Sequence, residues 1–154
     1  MIARFLSRYY FALFGILFFF DRYTKLFAIK HFVHAYEVND FLSFSLVFNC
    51  GISWGLFNSS GTYVYHFFTV CIALLCFALV YHIMCRLQQG KIIIAETLVL
   101  TGALSNLMDR ILHRGVIDFV LLSYGKWSWP VFNVADCFIV VGVLIMLIQN
   151  YREQ

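Results

Sequence analysis

Charge is what this sequence has least of. Asp, Glu, Lys and Arg make up 12% of its 154 residues, about half the share in an ordinary soluble domain, and this excludes a large soluble domain. The 11 Lys and Arg residues are scattered and the net charge is only +3, so no basic face is available for nucleic acid. Five cysteines, Cys50, Cys71, Cys76, Cys85 and Cys137, include no C-x-x-C pair. Most sit in apolar runs, where a free thiol behaves as a small hydrophobe, and their spacing matches no disulfide or metal framework. H-E-x-x-H and G-x-S-x-G are absent, and His31, His34, His66, His82 and His113 do not make a ligand set at metal spacing. No metal and no cofactor are expected, and metal or serine hydrolysis is disfavoured.

What the chain does have is apolar surface. Hydrophobic residues make up 62% and aromatics 19%, and the mean hydropathy is +0.83. These values describe an integral membrane protein. At about 20 residues per spanning helix, the length allows one domain, residues 1–154, with four spans and modest loops. The first begins behind Arg4 and Arg8 with YYFALFGILFFF. Asp21 and Arg22 then stand where a signal-peptide cleavage site would need small residues, so a retained helix continuing through DRYTKLFAIKHF is expected. Asp21 and Lys25 fall one turn apart near its far end, and as a pair they suit an interfacial anchor. Residues 36–57 alternate in FLSFSLVFN and then turn in NCGISWG, which reads as a short strand or hairpin at the membrane surface.

Residues 62–85 form the clearest span, with His66 and His82 near its ends as interfacial groups. CRLQQGK is a tight polar connection, and residues 92–108 make a third span that ends at Asp109 and Arg110. Glu96 lies in its first turns, where it needs water or a partner. A polar loop through Gly115, Asp118, Gly125 and Trp-Ser-Trp-Pro leads to the fourth span, residues 132–149, and Pro130 suits a helix entry. The fold expected is an all-α membrane protein of four transmembrane helices with a small β-like segment between helices 1 and 2.

Four spans put both termini and residues 85–91 on one side. Asp21, Lys25, Asn49, Asn106, Asp109, Arg110, Asp118, Asn133 and Asp136 all fall on the other. Lys and Arg number five on the first side and six on the second by this reading, so the positive-inside rule does not orient the chain.

Asn106, Asp109 and Arg110 share a helical face, and an Asp beside an Arg at a helix end is by itself a neutralised structural pair. Asn133 and Asp136 are three apart, and an acid in the first turn after an Asn is by itself a cap. Yet an Asp at the centre of a span costs about +2.5 to +3.5 kcal/mol, and Asp118 lies on the same side as Asp136. Two carboxylates in a partly desolvated pocket can share a proton. One then acts as base on a water while the other hydrogen-bonds a carbonyl, which is aspartic hydrolysis. A small transporter or channel subunit is the alternative, and it would spread its acids through the membrane depth.

At these residues the sequence resembles the lipoprotein signal peptidase (signal peptidase II) family of bacterial membrane aspartic peptidases. FDRYTK, NCGISWG, TGALSNLMDRILHRGVIDF and FNVAD carry the resemblance, in order, between the four spans. It implies an endopeptidase that cleaves diacylglyceryl-modified prolipoproteins just before the lipidated cysteine, in contact with membrane lipid. Asp118 and Asp136 match the catalytic pair, and Asp21, Lys25, Asn49, Gly51, Asn106, Asp109, Arg110 and Asn133 match substrate-binding or site-supporting positions. The resemblance also implies the bacterial inner membrane, both termini in the cytoplasm and a site near the periplasmic face. Arg22, where the motif often has Gln, Ser105, where Gly is usual before Asn106, and Val120 and Leu121, where a second acid is common after Phe119, depart from the family pattern. Those differences bear on substrate fit and packing.

Overall fold

The computed structural model describes residues 2–51 and 62–152, with side chains from residue 7 onward. Four helices dominate it: α1 (Ile2–His31), α2 (Thr62–Gln88), α3 (Ile94–His113) and α4 (Val134–Arg152). Two strands follow α1, β1 (Tyr36–Glu37) and β2 (Leu42–Asn49), and two separate α3 from α4, β3 (Val116–Tyr124) and β4 (Trp127–Ser128). Together they form one antiparallel sheet in the order β1-β2-β3-β4. The hairpin expected after helix 1 is present up to Asn49; Ile52 to Phe57, including Trp54, lie outside the described residues. Half of the sheet was not expected, because residues 116–128 read as loop. VIDFVLLSY is buried on both faces at its start, so it lacks the alternation by which a half-exposed strand is recognised.

Local chemistry explains the turns. Asn39 accepts the N–H groups of Phe41 and Leu42, both at 2.9 Å, which tightens the β1–β2 connection. Between the pairs Phe44↔Val120 and Val47↔Asp118, β2 has two residues and β3 has one. This bulge re-aims the side chains beside Asp118. Phe32, at the end of α1, stacks on Phe44 with ring centroids 4.7 Å apart and so fastens the sheet to the helix.

α3 is central and packs against α1, α2 and α4. Its buried face is polar: Glu96, Thr97, Thr101, Ser105, Asp109 and Arg110. The large exposed side chains of α2 and α4 are apolar instead, among them Phe67, Leu74, Leu75, Phe77, Leu144, Leu147 and Ile148. Polar groups point in and hydrocarbon points out, as an apolar solvent requires. α2 and α4 are long and apolar enough to cross a membrane; α1 and α3 carry charged groups along their inward faces and do not meet that measure among the described residues.

Two glycines bring α3 and α4 together. A Cβ on Gly102 would collide with the Ala135 carbonyl oxygen, and one on Gly142 would lie 2.7 Å from that of Ala95. Such close backbone approach is the use of small residues between membrane helices. It places Asn106, one turn beyond Gly102, beside the first turn of α4.

Candidate active site

α4 begins with a reciprocal cap. The Asp136 N–H donates to Asn133 Oδ1 at 3.0 Å, and Asp136 Oδ2 accepts the Asn133 N–H at 3.1 Å, an arrangement that satisfies two orphan donors at once. Asn133 is therefore the cap and Pro130 lies three residues upstream of it, so Pro130 does not open the helix as expected. Asp136 Oδ1 is left to face the interior, where it accepts the Asn106 amide at 2.8 Å.

β3 supplies the second acid. Asp118 is paired across the sheet with Val47, which sets Asn49 diagonally opposite on the same face. Its Oδ2 accepts the Asn49 amide at 3.0 Å, and its Oδ1 accepts the Asn133 amide at 2.6 Å. Asn133 thus binds both acids, Asp118 through its side chain and Asp136 through its backbone. Asp118 is 2% exposed. Burial pushes its carboxyl up from the ordinary 3.8 to about 7, the charge of Asp136 adds to the rise, and the amides of Asn49 and Asn133 together with Lys25 oppose it. A carboxyl in that range holds or releases a proton near neutral pH, as a general acid or base must.

Behind the two acids lies a buried ionic cluster. Lys25 Nζ donates to Asn106 Oδ1 at 2.7 Å and pairs with Asp21 Oδ2 at 3.0 Å and Asp109 Oδ2 at 2.7 Å. All three ammonium donors are used. Because Lys25 only donates, Asn106 must turn its oxygen toward it and its NH2 toward Asp136. Asp21, Lys25 and Asp109 are fully buried, so the Asp21–Lys25 pair is an internal support where an interfacial anchor was expected. Arg22 pairs with Asp109 Oδ1. Ser105 donates to Asp21 Oδ2 at 2.5 Å and itself lies 3.4 Å from the Arg22 guanidinium.

Asp109 was expected to neutralise Arg110, and it does not. Successive residues on a helix point about 100° apart, so Asp109 turns to α1 while Arg110 donates to the Gly51 carbonyl. The Arg110 guanidinium also lies 5.4 Å from the centre of the Tyr65 ring, and the Tyr65 hydroxyl donates to the Arg110 carbonyl at 2.6 Å. Glu96 does find a partner: it is 1% exposed and lies 2.7 Å from Arg86 Nε, with the exposed His82 at 3.8 Å.

Asn49, Asn106, Arg110, Asp118 and Asp136 line a cavity of about 880 Å³, whose other walls are apolar side chains of α2, α3, α4, β3 and residues 129–132, such as Ile72, Val99, Ile139, Leu122 and Phe132. An extended apolar chain fits such a space, with a polar group held at the two acids. The structure therefore gathers all ten residues singled out by sequence around one centre. Arg22, Ser105 and Tyr65 are additional. Ser105 and Asp109 share a helical face one turn apart, which was a usable signal; Tyr65 had none, because 45 residues separate it from Arg110.

Known proteins resemble this chain over most of its length. The family model for signal peptidase (SPase) II matches residues 13–152. The lipoprotein signal peptidase of Pelagibacter ubique (strain HTCC1062) is 35% identical over 138 residues, covering 86% of this chain and 81% of the relative. That of Clostridium tetani (strain Massachusetts / E88) is 34% identical and covers 86% of each. A bacterial membrane enzyme solved by the in meso method at 2.3 Å superposes with a TM-score of 0.77 at 26% identity, over 94% of this chain and 88% of that one. A pair of acids joined through Asn133 at the head of an apolar cavity, apolar helices that mark an integral membrane protein, and a family model and relatives matched over most of their length lead to one conclusion: the chain belongs to the signal peptidase II family.

Proposed function

We propose that this signal peptidase II cleaves diacylglyceryl-modified prolipoproteins just before the lipidated cysteine, with Asp118 and Asp136 as the catalytic pair. The observation that carries this reading is Asn133, whose side chain and backbone hold the two acids at the head of one apolar cavity. Asp118, raised toward neutrality, holds the shared proton; Asp136, in the first turn of α4, is the anion, favoured there by the helix dipole. Asp136 takes a proton from a water, the oxygen attacks the scissile carbonyl carbon, and Asp118 gives its proton to the carbonyl oxygen. On collapse the C–N bond breaks, Asp136 passes its proton to the departing nitrogen, and Asp118 regains one from the diol. Arg110, whose Nη1 has no partner among the described residues, is the donor for a substrate carbonyl.

The lipid setting follows from the same reading. All four helices cross the inner membrane, α1 and α3 with their charges turned inward, both termini are cytoplasmic, and the site lies near the periplasmic face. The substrate's acyl chains and signal helix then reach the cavity from within the bilayer. An ion path is not favoured: Asp21, Asp109, Asp118 and Asp136 form one linked group at one end of the helices, and Glu96 closes on Arg86.

Cleavage of a lipidated prolipoprotein by the purified chain, and its loss in both Asp118→Asn and Asp136→Asn, is the test. Near wild-type turnover in either variant removes that residue from the catalytic pair. For the topology, Cys placed at Gly125 in a cysteine-free background should react with an impermeant thiol reagent from outside and Cys at Gln89 should not.

A further inference from the structure

Two of the buried acids that take no part in this chemistry, Asp21 and Asp109, make matching contacts. Asp21 Oδ1 accepts the backbone N–H of Ala135 at 2.7 Å, the residue just before Asp136. Asp109 Oδ2 accepts the backbone N–H of Ile117 at 3.3 Å, the residue just before Asp118. Each acid thus reaches across from another helix to the backbone that carries a catalytic side chain.

We infer that Asp21 and Asp109 are positioning residues that fix the separation of Asp136 and Asp118, each by gripping the peptide N–H one residue before its target. Lys25 joins the two grips, since the same ammonium binds both of them and Asn106. Neither grip is free to rotate. The second oxygen of Asp21 is held by Ser105 and Lys25, and that of Asp109 by Arg22. The Ala135 N–H is one of the first-turn donors that a helix cannot satisfy internally, so Asp21 removes an orphan while setting the angle at which α4 presents Asp136. For Asp118, the grip on Ile117 fixes where β3 enters the sheet after the left-handed Arg114 (φ 56°) closes α3. Arg22 and Ser105, the two positions where this chain departs from the family pattern inside the cluster, support one grip each.

This inference rests on the catalytic reading of Asp118 and Asp136, and its test separates the two. kcat and KM for a lipidated prolipoprotein are measured on monodisperse, folded full-length protein carrying Asp21→Leu, Asp21→Asn or Ser105→Ala, with Asp118→Asn and Asp136→Asn alongside. Asp21→Leu keeps the branched skeleton, with methyls in place of the oxygens, but has no acceptor for the Ala135 N–H; it is expected to lower kcat on the order of 10²-fold, the scale of a misplacement near 1 Å. KM should stay within about threefold, because a displaced base weakens the transition state more than the bound substrate. Asp21→Asn keeps a carbonyl oxygen for that N–H and should recover to within about tenfold of wild type. Equal losses in the two Asp21 variants would mean that charge, and not the grip, is what matters, and would overturn the inference. So would a folded Asp21→Leu whose kcat stays within about threefold of wild type. If Asp21→Leu does not fold, Ser105→Ala decides: a fall in kcat of about threefold or more at steady KM supports the grip, and an unchanged kcat refutes it. Activity in Asp118→Asn or Asp136→Asn would instead sink the catalytic reading itself.

Discussion

Replacing Asp118 by Asn keeps its shape and removes its proton chemistry, so stability as well as turnover is expected to change. The carboxyl rises from 3.8 to about 7 in the folded protein, a change of about three units at about 1.4 kcal/mol each, so about 4 kcal/mol in all. Between these two values the folded chain holds more of this proton than the unfolded chain does. Wild-type stability therefore falls as pH rises from about 4 to about 7, and the loss is complete above that range. The amide of the Asp118→Asn variant does not titrate and escapes it.

A second effect opposes the first but does not vary with pH. Both Asp118 oxygens accept an amide, from Asn49 and from Asn133, whereas an Asn side chain has only one oxygen. Neither neighbour can simply flip, because Asn49 Oδ1 holds the Gly51 N–H and Asn133 Oδ1 holds the Asp136 N–H, each at 3.0 Å. One donor is left facing another, at a cost of about 1–3 kcal/mol. The variant is thus expected to gain on wild type by about 3 kcal/mol between pH 5 and pH 8, starting near parity and ending as the more stable of the two. At about 2–4 °C per kcal/mol for a chain of this size, the gap in thermal midpoint should change by on the order of 10 °C. Unfolding of both proteins in detergent, followed by tryptophan fluorescence at half-unit steps from pH 5 to 8.5, measures it. A gap that stays constant across that range would refute the assignment of the shared proton to Asp118.

The same proton predicts the rate profile: kcat/KM should fall as pH rises through about 7, because an ionised Asp118 cannot protonate the carbonyl, and a profile with no alkaline limb would contradict it. Asp109→Asn should destabilise by about 3 kcal/mol, since Arg22 loses its carboxylate and Lys25 keeps only that of Asp21; an unchanged thermal midpoint would count against the buried cluster. Gly102→Ala drives its Cβ into the Ala135 oxygen, so α4 must shift and both midpoint and turnover should drop. Cleavage should survive a strong chelator and the loss of all five thiols; recovery of lost activity by a divalent ion would overturn the aspartic mechanism.

How much of this was legible in the chain depends on the distance over which each feature is decided. Asn133 and Asp136, three residues apart at the head of an apolar run, announce their cap locally. The apolar spans are visible by composition, and the two acids stand out because an acid in such a chain needs a reason. β3 was hidden because Ile117, Asp118 and Phe119 are all buried, and burial on both faces erases the period of two that marks a strand. The partner of Asp109 was misread for a different reason: Arg110 is adjacent in sequence, but Arg22 lies 87 residues away and reaches it in space. Nothing in the local pattern of α3 shows that α1 lies against that face.

The charged cluster raises the question of what it is kept for. Arg22, Lys25, Asp21 and Asp109 sum to zero charge, and Lys25 and both acids are fully buried. Taking such ions out of water costs several kcal/mol each, and well-packed apolar residues in their place are often as stable or more so. Stability alone therefore does not require them. Apolar residues would leave the N–H groups of Ala135 and Ile117 without their acceptors and would free Asn106 to turn its oxygen toward Asp136. A lone acceptor facing a carboxylate repels it, and the pair of acids would lose the geometry on which a shared proton depends. The cluster is retained for direction: each of its members aims a donor or an acceptor that only a charged or strongly polar group, locked from behind, can hold in place.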